Sequence, residues 1–243
     1  MQYEILSKYY QKLIFDSEYD GWTDYMLSVV KNSLPFGVGY DVGSGTGIFT
    51  RKLKKAGYKV VGVDISSDML AVAKDLSLKE NLNIDYINMD MRSLKSFEKL
   101  DFITVVNDGI NYVKQSDVKK VFSSFKKCLK KGGYLLFDLS TEYKLSTVLN
   151  GNMFGDDGED LSYIWLSEYD KEQKSLSLNL SFFEKQGELY KRYDEVQTEY
   201  AHDVNDIKTA LDNAGFTTIK ITDAFGNKLT DLSERAVFLA IKN

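Results

Sequence analysis

The chain is short of several residue types, and each shortage closes a class of function. Cys128 is the only cysteine, so no internal disulfide can form. It falls in "VFSSFKKCLK", a run with helical spacing, and reads as a buried thiol in a cytoplasmic protein with no nearby base to activate it. His202 is the only histidine, and with a single cysteine this leaves no zinc constellation, so no metal is expected. Pro35 is the only proline, which rules out motifs built on paired prolines. The 31 basic residues include only four arginines, Arg51, Arg92, Arg192 and Arg235. Arginine is the better fork for phosphate and carboxylate, so each of these is a position to follow. The net charge of −5 works against a nucleic-acid partner. No apolar run approaches the roughly 20 residues that span a bilayer, and no membrane is expected. The opening "MQYEILSKYYQKLIF" carries early charge and no small-residue cleavage site, unlike a secretion signal.

What the chain does have is rhythm. Aromatic and aliphatic residues recur at three and four over 2–15, and 18–32 is likewise expected to be helical. Apolar runs at 37–42, 59–64, 83–90, 101–108 and 134–140 then read as strands. Helical segments are expected between them at 47–56, at 66–80 with Ser66 or Ser67 as cap, and at 116–133. The last would be capped by Ser116 and ended by two glycines. Alternation of this kind predicts a parallel sheet with right-handed crossovers, which binds ligands at the carboxyl ends of its strands. Beyond about 150 the pattern changes. Residues 151–160 read as an acidic, glycine-rich loop, and three aromatic, period-2 segments up to about 200 read as antiparallel strands. A helix over 203–214, capped by Asp203 and stopped by Gly215, precedes a closing hairpin.

The stretch "YDVGSGTGIFT", 40–50, sets Gly43, Gly45 and Gly47 at the end of the first strand. Such glycines either pack a helix on a sheet or let a ligand reach backbone at a helix start. Asp64, ending the second strand, could accept both ribose hydroxyls of an adenosine, or serve as a helix cap. Asp90, ending the third, could accept from an adenine amino group, with Met91 beside it as a soft apolar surface. The spacing G-x-G-x-G differs from the G-x-G-x-x-G of dinucleotide folds, which points away from NAD and towards a smaller adenosyl ligand.

On these residues the chain resembles a class I S-adenosylmethionine-dependent methyltransferase. "DVGSGTG" is similar to the family's D-x-x-x-G-x-G motif, and "FTTIKITDAFG…ERAVFLAIK" to its antiparallel last strand. The resemblance implies a Rossmann-like α/β fold: a seven-stranded, mostly parallel sheet with N-terminal helices and an antiparallel β insert. The core would comprise 1–149 and 201–243, and the insert, 150–200, would cover the site. By resemblance Gly43, Ser44, Gly45 and Gly47 approach the methionine part of S-adenosylmethionine, and Asp41 orients its amino group. Asp64 would hold the ribose, Ile65 and Met69 would flank it, and Asp90 and Met91 would frame the adenine. "VNDGINYV", 106–113, would put Asn107 and Asp108 beside the cofactor. The insert resembles that of sugar-amine N-methyltransferases, although Gln197 stands where a histidine is often found, and Gln11 follows Tyr10 in place of an aspartate.

Three residues compete for catalytic roles: Tyr10 as a lid or a core tyrosine, Asp108 as a base or a hydrogen-bonding group, and Tyr112 facing the substrate or packing. Trp165, Phe183, Arg192 and Tyr193 are the candidates for binding the acceptor. Period 2 sends Arg192 and Tyr193 to opposite faces, and Arg192 either grips an anionic substrate or pairs with Asp194 or Glu195. His202 is expected to be solvated or capping. The reaction expected is methylation of an amine or hydroxyl of a small molecule. RNA or protein modification and a non-catalytic cofactor-binding module stay open, as do the monomer and the homodimer.

Overall fold

The computed structural model describes Ser7, Tyr9, Tyr10 and residues 17–243. Most of the helix expected over 2–15 therefore lies outside the described residues. Helix α1, Ser17–Ser33, leads into β1, Val38–Val42. There follow α2 (Ile48–Lys55), β2 (Lys59–Asp64), α3 (Ser67–Lys79), β3 (Asp85–Asn88) and β4 (Leu100–Val105). Next come α4 (Gln115–Cys128) and β5 (Leu129–Ser140). Strands β6 (Met153–Asp157), β7 (Leu161–Asp170), β8 (Ser175–Gln186) and β9 (Leu189–Tyr200) make a separate unit. The chain closes with α5 (Val204–Ala214), β10 (Phe216–Thr222) and β11 (Arg235–Lys242).

Seven strands form the main sheet, in the order β10-β11-β5-β4-β1-β2-β3. All the pairs from β5 across to β3 are parallel, and β11 alone runs against both of its neighbours. The order reverses between β1 and β4, and an open parallel sheet leaves a crevice outside the carboxyl ends of its strands at such a point. One face of the sheet is buried under α4 and α5 with Phe122, Phe125 and Ile207, and Phe137 stacks on Phe238 at 4.8 Å between centroids. The other face is covered by Trp22 and Met26 of α1 and by Phe49 and Leu53 of α2. The four-stranded sheet, β6-β7-β8-β9, is wholly antiparallel. Its inner face buries Leu176, Leu178, Leu180 and Phe182, the alternate residues of β8, against Tyr9, Met69 and Leu145.

Ser66, and not Ser67, caps α3, accepting from the Met69 amide at 3.2 Å. Asp203 caps α5 through two amides, and Gly215 ends it at φ 87°. Two expectations need correction. Helix α4 stops at Cys128, and Ser116 lies inside it behind an uncapped Lys114. Gly132 and Gly133 belong to β5, where the register with β4 shifts between Leu100 and Phe102. Gly132 at φ 75° turns the extra residues, and Gly133 has no room for a Cβ beside the Leu100 and Asp101 carbonyls, 3.2 Å away. The glycines serve a bulge and not a helix end. Residues 153–157 form an edge strand on β7 where a loop was expected. All five are exposed, so no apolar alternation marks them.

A buried ion cluster ties the turn after β4 and the end of β5 to the start of β11. Asp138, near the end of β5, is fully buried and accepts from the Asn107 and Asp108 amides at 2.7 and 3.0 Å. Arg235, at the start of β11, pairs with Asp138 and lies 3.2 Å from Asp108 Oδ2, its guanidinium 4.9 Å from the Trp22 ring centroid. Burial works against the Arg235 charge, but the carboxylates of Asp138 and Asp108 more than offset it and hold the group above its usual value.

Two stability measurements follow. Arg235→Met leaves two buried carboxylates facing each other, and urea unfolding should report a loss of about 3–5 kcal/mol. An unchanged midpoint would mean that the cluster is not what holds β11 to β5. Gly47 sits at φ 76°, and a Cβ there would meet Ala73 at 3.1 Å and the Tyr86 hydroxyl closer still. Gly47→Ala should therefore cost about 3 kcal/mol, from backbone strain and overpacking together.

Candidate active site

The glycine loop is held by its own backbone. The Gly43 and Ser44 amides donate to the Val63 carbonyl of β2 at 2.7 and 3.0 Å. Gly43, Gly45 and Gly47 all take positive φ, between 52° and 76°. Asp64 ties this loop to α3: Oδ2 accepts from the Gly45 amide and Oδ1 from the Ser66 amide, both at 2.8 Å. Burial raises the Asp64 carboxyl, and these amide bonds act in the opposite sense. Behind the loop, Asp41 accepts from the Thr50 and Thr104 hydroxyls at 2.6 and 2.9 Å. Burial pushes the Asp41 carboxyl up to about 6, against those two bonds.

Around the rim, Asp90 is gripped by Arg92, which lowers the carboxyl, and Met91 lies next to it on the same wall. Ile65 is exposed at the mouth and Met69 is buried. Asn107 and Asp108 are non-glycine residues at φ 69° and 54°. The backbone strain of such residues persists only where the surroundings over-determine it, and here the Asp138 carboxylate binds both amides. Asp108 precedes the short 3₁₀ turn Gly109–Tyr112 but makes no side-chain cap. Its Oδ2 instead accepts from the Ser140 hydroxyl at 3.0 Å and faces Arg235. Tyr10 lies in the same cavity beside Asn107, its hydroxyl pushed up by burial and by the Asp108 charge.

These residues floor a cavity of about 570 Å³ whose roof is the inner face of the four-stranded sheet. Tyr163, Trp165, Leu178, Leu180, Gln197 and Glu199 descend from that face. Trp165 Nε1 is buried and has no hydrogen-bond partner among the described residues. The other three residues expected to bind the acceptor lie elsewhere. Phe183 is one residue on from the inward Phe182, so it faces out, under Arg192 at 5.7 Å. Arg192 is exposed and pairs with Asp194 at 2.9 Å. Tyr193 shares the inner face with its partner Phe182, but beyond the cavity, where it donates to Glu184 at 3.1 Å. His202 is not solvated: it is 2% exposed, with Nδ1 2.6 Å from Gln115 Oε1 and Nε2 3.2 Å from the Ile110 carbonyl. Burial lowers its pKa.

The sequence reading missed the polar half of the roof. Glu199, 7% exposed, accepts from the Tyr112 hydroxyl at 3.4 Å. Burial and the Asp108 charge push its carboxyl up to about 8, against Lys144 and Arg235. Lys144, its own pKa lowered by burial, donates to Ser140 Oγ at 3.3 Å. A signal was available. Leu176, Leu178 and Leu180 face Glu199, Gln197 and Glu195 across the β8–β9 register, so the apolar phase of one strand fixes the polar residues of the next as inward. Among the described residues, no group of three or more His, Cys, Asp or Glu is arranged to hold a metal. No helix among them is long and apolar enough to cross a membrane.

Known proteins are similar to this chain in sequence and in fold. A family profile described as "Methyltransferase domain" matches residues 40–133. The chain is 32% identical over 247 residues to a "Putative methyltransferase" of Geobacillus sp. (strain WCH70), covering all of both chains. A crystal structure of a S-adenosylmethionine-dependent methyltransferase from Clostridium acetobutylicum ATCC 824 superposes with a TM-score of 0.86 at 30% identity, over 99% of each chain. The sugar N-methyltransferase KedS8 from Streptoalloteichus sp ATCC 53650 shares the fold, with a TM-score of 0.80 at 20% identity over 99% of this chain and 93% of that one. A glycine loop tied down by Asp64, on a seven-stranded sheet with one reversed strand, and a full-length match of this strength lead to one conclusion: the chain belongs to the class I S-adenosylmethionine-dependent methyltransferases.

Proposed function

We propose that the protein methylates an amine or hydroxyl of a small molecule held beneath the four-stranded sheet, in the cytoplasm. The observation that carries this reading is the cavity itself. Its volume of about 570 Å³ lies between a glycine loop and a roof of aromatic and aliphatic side chains. A compact, mostly apolar cleft with a few polar groups suits a small ligand. The likeness of fold to a protein described as a sugar N-methyltransferase supports the same class of acceptor. On this reading 1–149 and 201–243 hold the cofactor, and 150–200 covers the acceptor.

The residues present fit an adenosyl ligand. A Cβ on Gly45 would meet nothing within 4 Å, so the loop leaves open space where a ligand can approach its backbone. The Ser44 hydroxyl is buried there without a partner among the described residues. Asp64, with one amide on each oxygen, keeps lone pairs for ribose hydroxyls, and Arg92 fixes the Asp90 carboxylate for an adenine edge. When bound, S-adenosylmethionine supplies a methyl group already activated on a sulfonium. The chain has to orient the acceptor, keep water out, and take up a proton where the acceptor carries one.

Calorimetry with S-adenosylhomocysteine tests the floor of the site. Asp64→Ala should weaken binding about tenfold or more, because a charge-assisted contact is lost and the loop loses its anchor. Gly45→Ala separates binding from folding. Its Cβ enters open space at φ 52°, so stability should fall by only about 1 kcal/mol while affinity drops about tenfold or more. Wild-type affinity in both variants would refute the assignment of the loop. The acceptor class is read from formation of S-adenosylhomocysteine with small amines and alcohols, set against RNA and protein substrates. Turnover only with a macromolecule would reject the small-molecule reading.

A further inference from the structure

We propose that Glu199 is the catalytic proton acceptor for the methyl-accepting group, and that this group is an amine nitrogen carried on an apolar ring, not a hydroxyl. The inference rests on the methyltransferase reading and deepens it, choosing between the two acceptor atoms that reading leaves open.

The first argument is position. Glu199 lies on the inner face of β9, lining the cavity, and its cross-strand neighbour is the fully buried Leu176. A carboxylate at such a place contributes nothing to packing that an aliphatic side chain would not do better. The second is its partners. Among the described residues its one hydrogen bond is the 3.4 Å contact from Tyr112, and it has no ion pair within 4 Å. Buried carboxylates are ordinarily paired or fully hydrogen-bonded. One that is neither, and that opens onto a cavity, is suited to a cationic donor from outside the chain. The third is the cavity it opens onto. Further along the same inner face, Trp165 and Tyr163, with Leu178 and Leu180, give an apolar and aromatic surface that fits a ring.

Charge decides between nitrogen and oxygen. Asp108 and Tyr10 face Glu199 from the floor, Lys144 from the turn after β5, Arg235 from β11 and Tyr112 from the 3₁₀ turn. Their balance, with burial, leaves a carboxyl that ionises near pH 8. Proton transfer is easier the nearer donor and acceptor lie, and burial brings the Glu199 carboxyl towards an alkylammonium, which ionises at about 10.4 in water. An aliphatic hydroxyl holds its proton about as tightly as bulk water, far beyond the reach of a carboxylate.

The acceptor enters as an ammonium ion, whose charge draws the raised Glu199 carboxyl into its ionised form, the displaced proton leaving to solvent. One N–H proton passes to a carboxylate oxygen and frees the nitrogen lone pair. The nitrogen forms its bond to the methyl carbon as the carbon–sulfur bond breaks, and that electron pair stays on sulfur. The product leaves as the methylated ammonium, and Glu199 keeps the proton taken from nitrogen, ready for the next acceptor. Charge and atoms balance, with one proton released per turnover. Tyr112 is a positioning residue that orients the carboxylate.

The test uses cyclohexylamine and cyclohexanol as probes, titrated into the full chain saturated with S-adenosylhomocysteine. The wild type should bind the amine about tenfold or more tightly than the alcohol, the scale of a charge-assisted hydrogen bond. Glu199→Gln should abolish that preference while leaving S-adenosylhomocysteine affinity and the unfolding midpoint unchanged. An infrared difference titration of wild type against Glu199→Gln should show one carboxyl ionising near pH 8, moved downward by cyclohexylamine. Failure of the wild type to bind the amine, equal binding of the two probes, or a preference that survives in Glu199→Gln overturns the proposal. Failure of the wild type to bind S-adenosylhomocysteine is a different result, and it is the methyltransferase reading that then falls.

Discussion

Arg235 is the charge on which the geometry of the cavity depends. Its guanidinium meets Asp138 at the end of β5 and Asp108 in the turn after β4, and it lies over the indole of Trp22 in α1. Asp138 in turn binds the amides of Asn107 and Asp108. Those two residues occupy left-handed backbone, which ordinary side chains avoid by about 1–2 kcal/mol each. A carboxylate accepting from two consecutive amides, and itself held by a guanidinium, supplies the compensation. The reversed strand β11 thus does more than close the sheet, since it delivers the cation that fixes the turn on the cavity floor.

A buried ion cluster is a poor device for stability alone, because its desolvation penalty offsets much of its attraction. Apolar residues of the same volume could hold β11 against β5. They could not bind two backbone amides, and they would place no charge near the roof. Asp108 lies on one side of that balance and Arg235 on the other, and both act on Glu199 and Lys144. Burial raises the carboxyl and lowers the amine, so each is driven towards its neutral form. The cluster therefore serves the site twice, first through its hydrogen bonds and then through its field.

What could be read from the sequence was whatever is local in the chain. The alternation of strands and helices needs only windows of ten or so residues, and the glycine loop with Asp64 spans a single βαβ unit. The end of α4 could not be read locally, because Gly132 and Gly133 are placed by a bulge against β4, some thirty residues earlier. Strand β6 was hidden for a different reason: it is an exposed edge with no apolar face to display. Period 2 separates Arg192 from Tyr193, but it cannot say how far along the strand the cavity extends, and Tyr193 is inward yet outside it. His202 looked like a solvent-facing residue before a cap, and tertiary packing against Gln115 and Ile110 buries it. The cluster of Asp108, Asp138, Lys144, Glu199 and Arg235 spans more than half of the chain. No motif of fixed spacing joins such residues, and only the sheet order brings them together.

The two sides of the cavity are built on different principles, and this bears on what can vary. The floor is made of backbone amides and carboxylates locked to one another, with Asp64 on Gly45 and Ser66, and Asp138 on Asn107 and Asp108. Changing one of these groups disturbs the chain path as well as the contact. The roof is made of side chains projecting from one face of an antiparallel sheet, whose ladder is indifferent to their identity. Exchanging Tyr163, Trp165 or Leu178 alters the shape of the cavity without moving a hydrogen bond of the loop below. A fold built this way can vary its roof while keeping the glycine loop. Glu199 is the point where the two sides meet, a roof residue whose carboxyl is raised by burial and by the Asp108 charge of the floor.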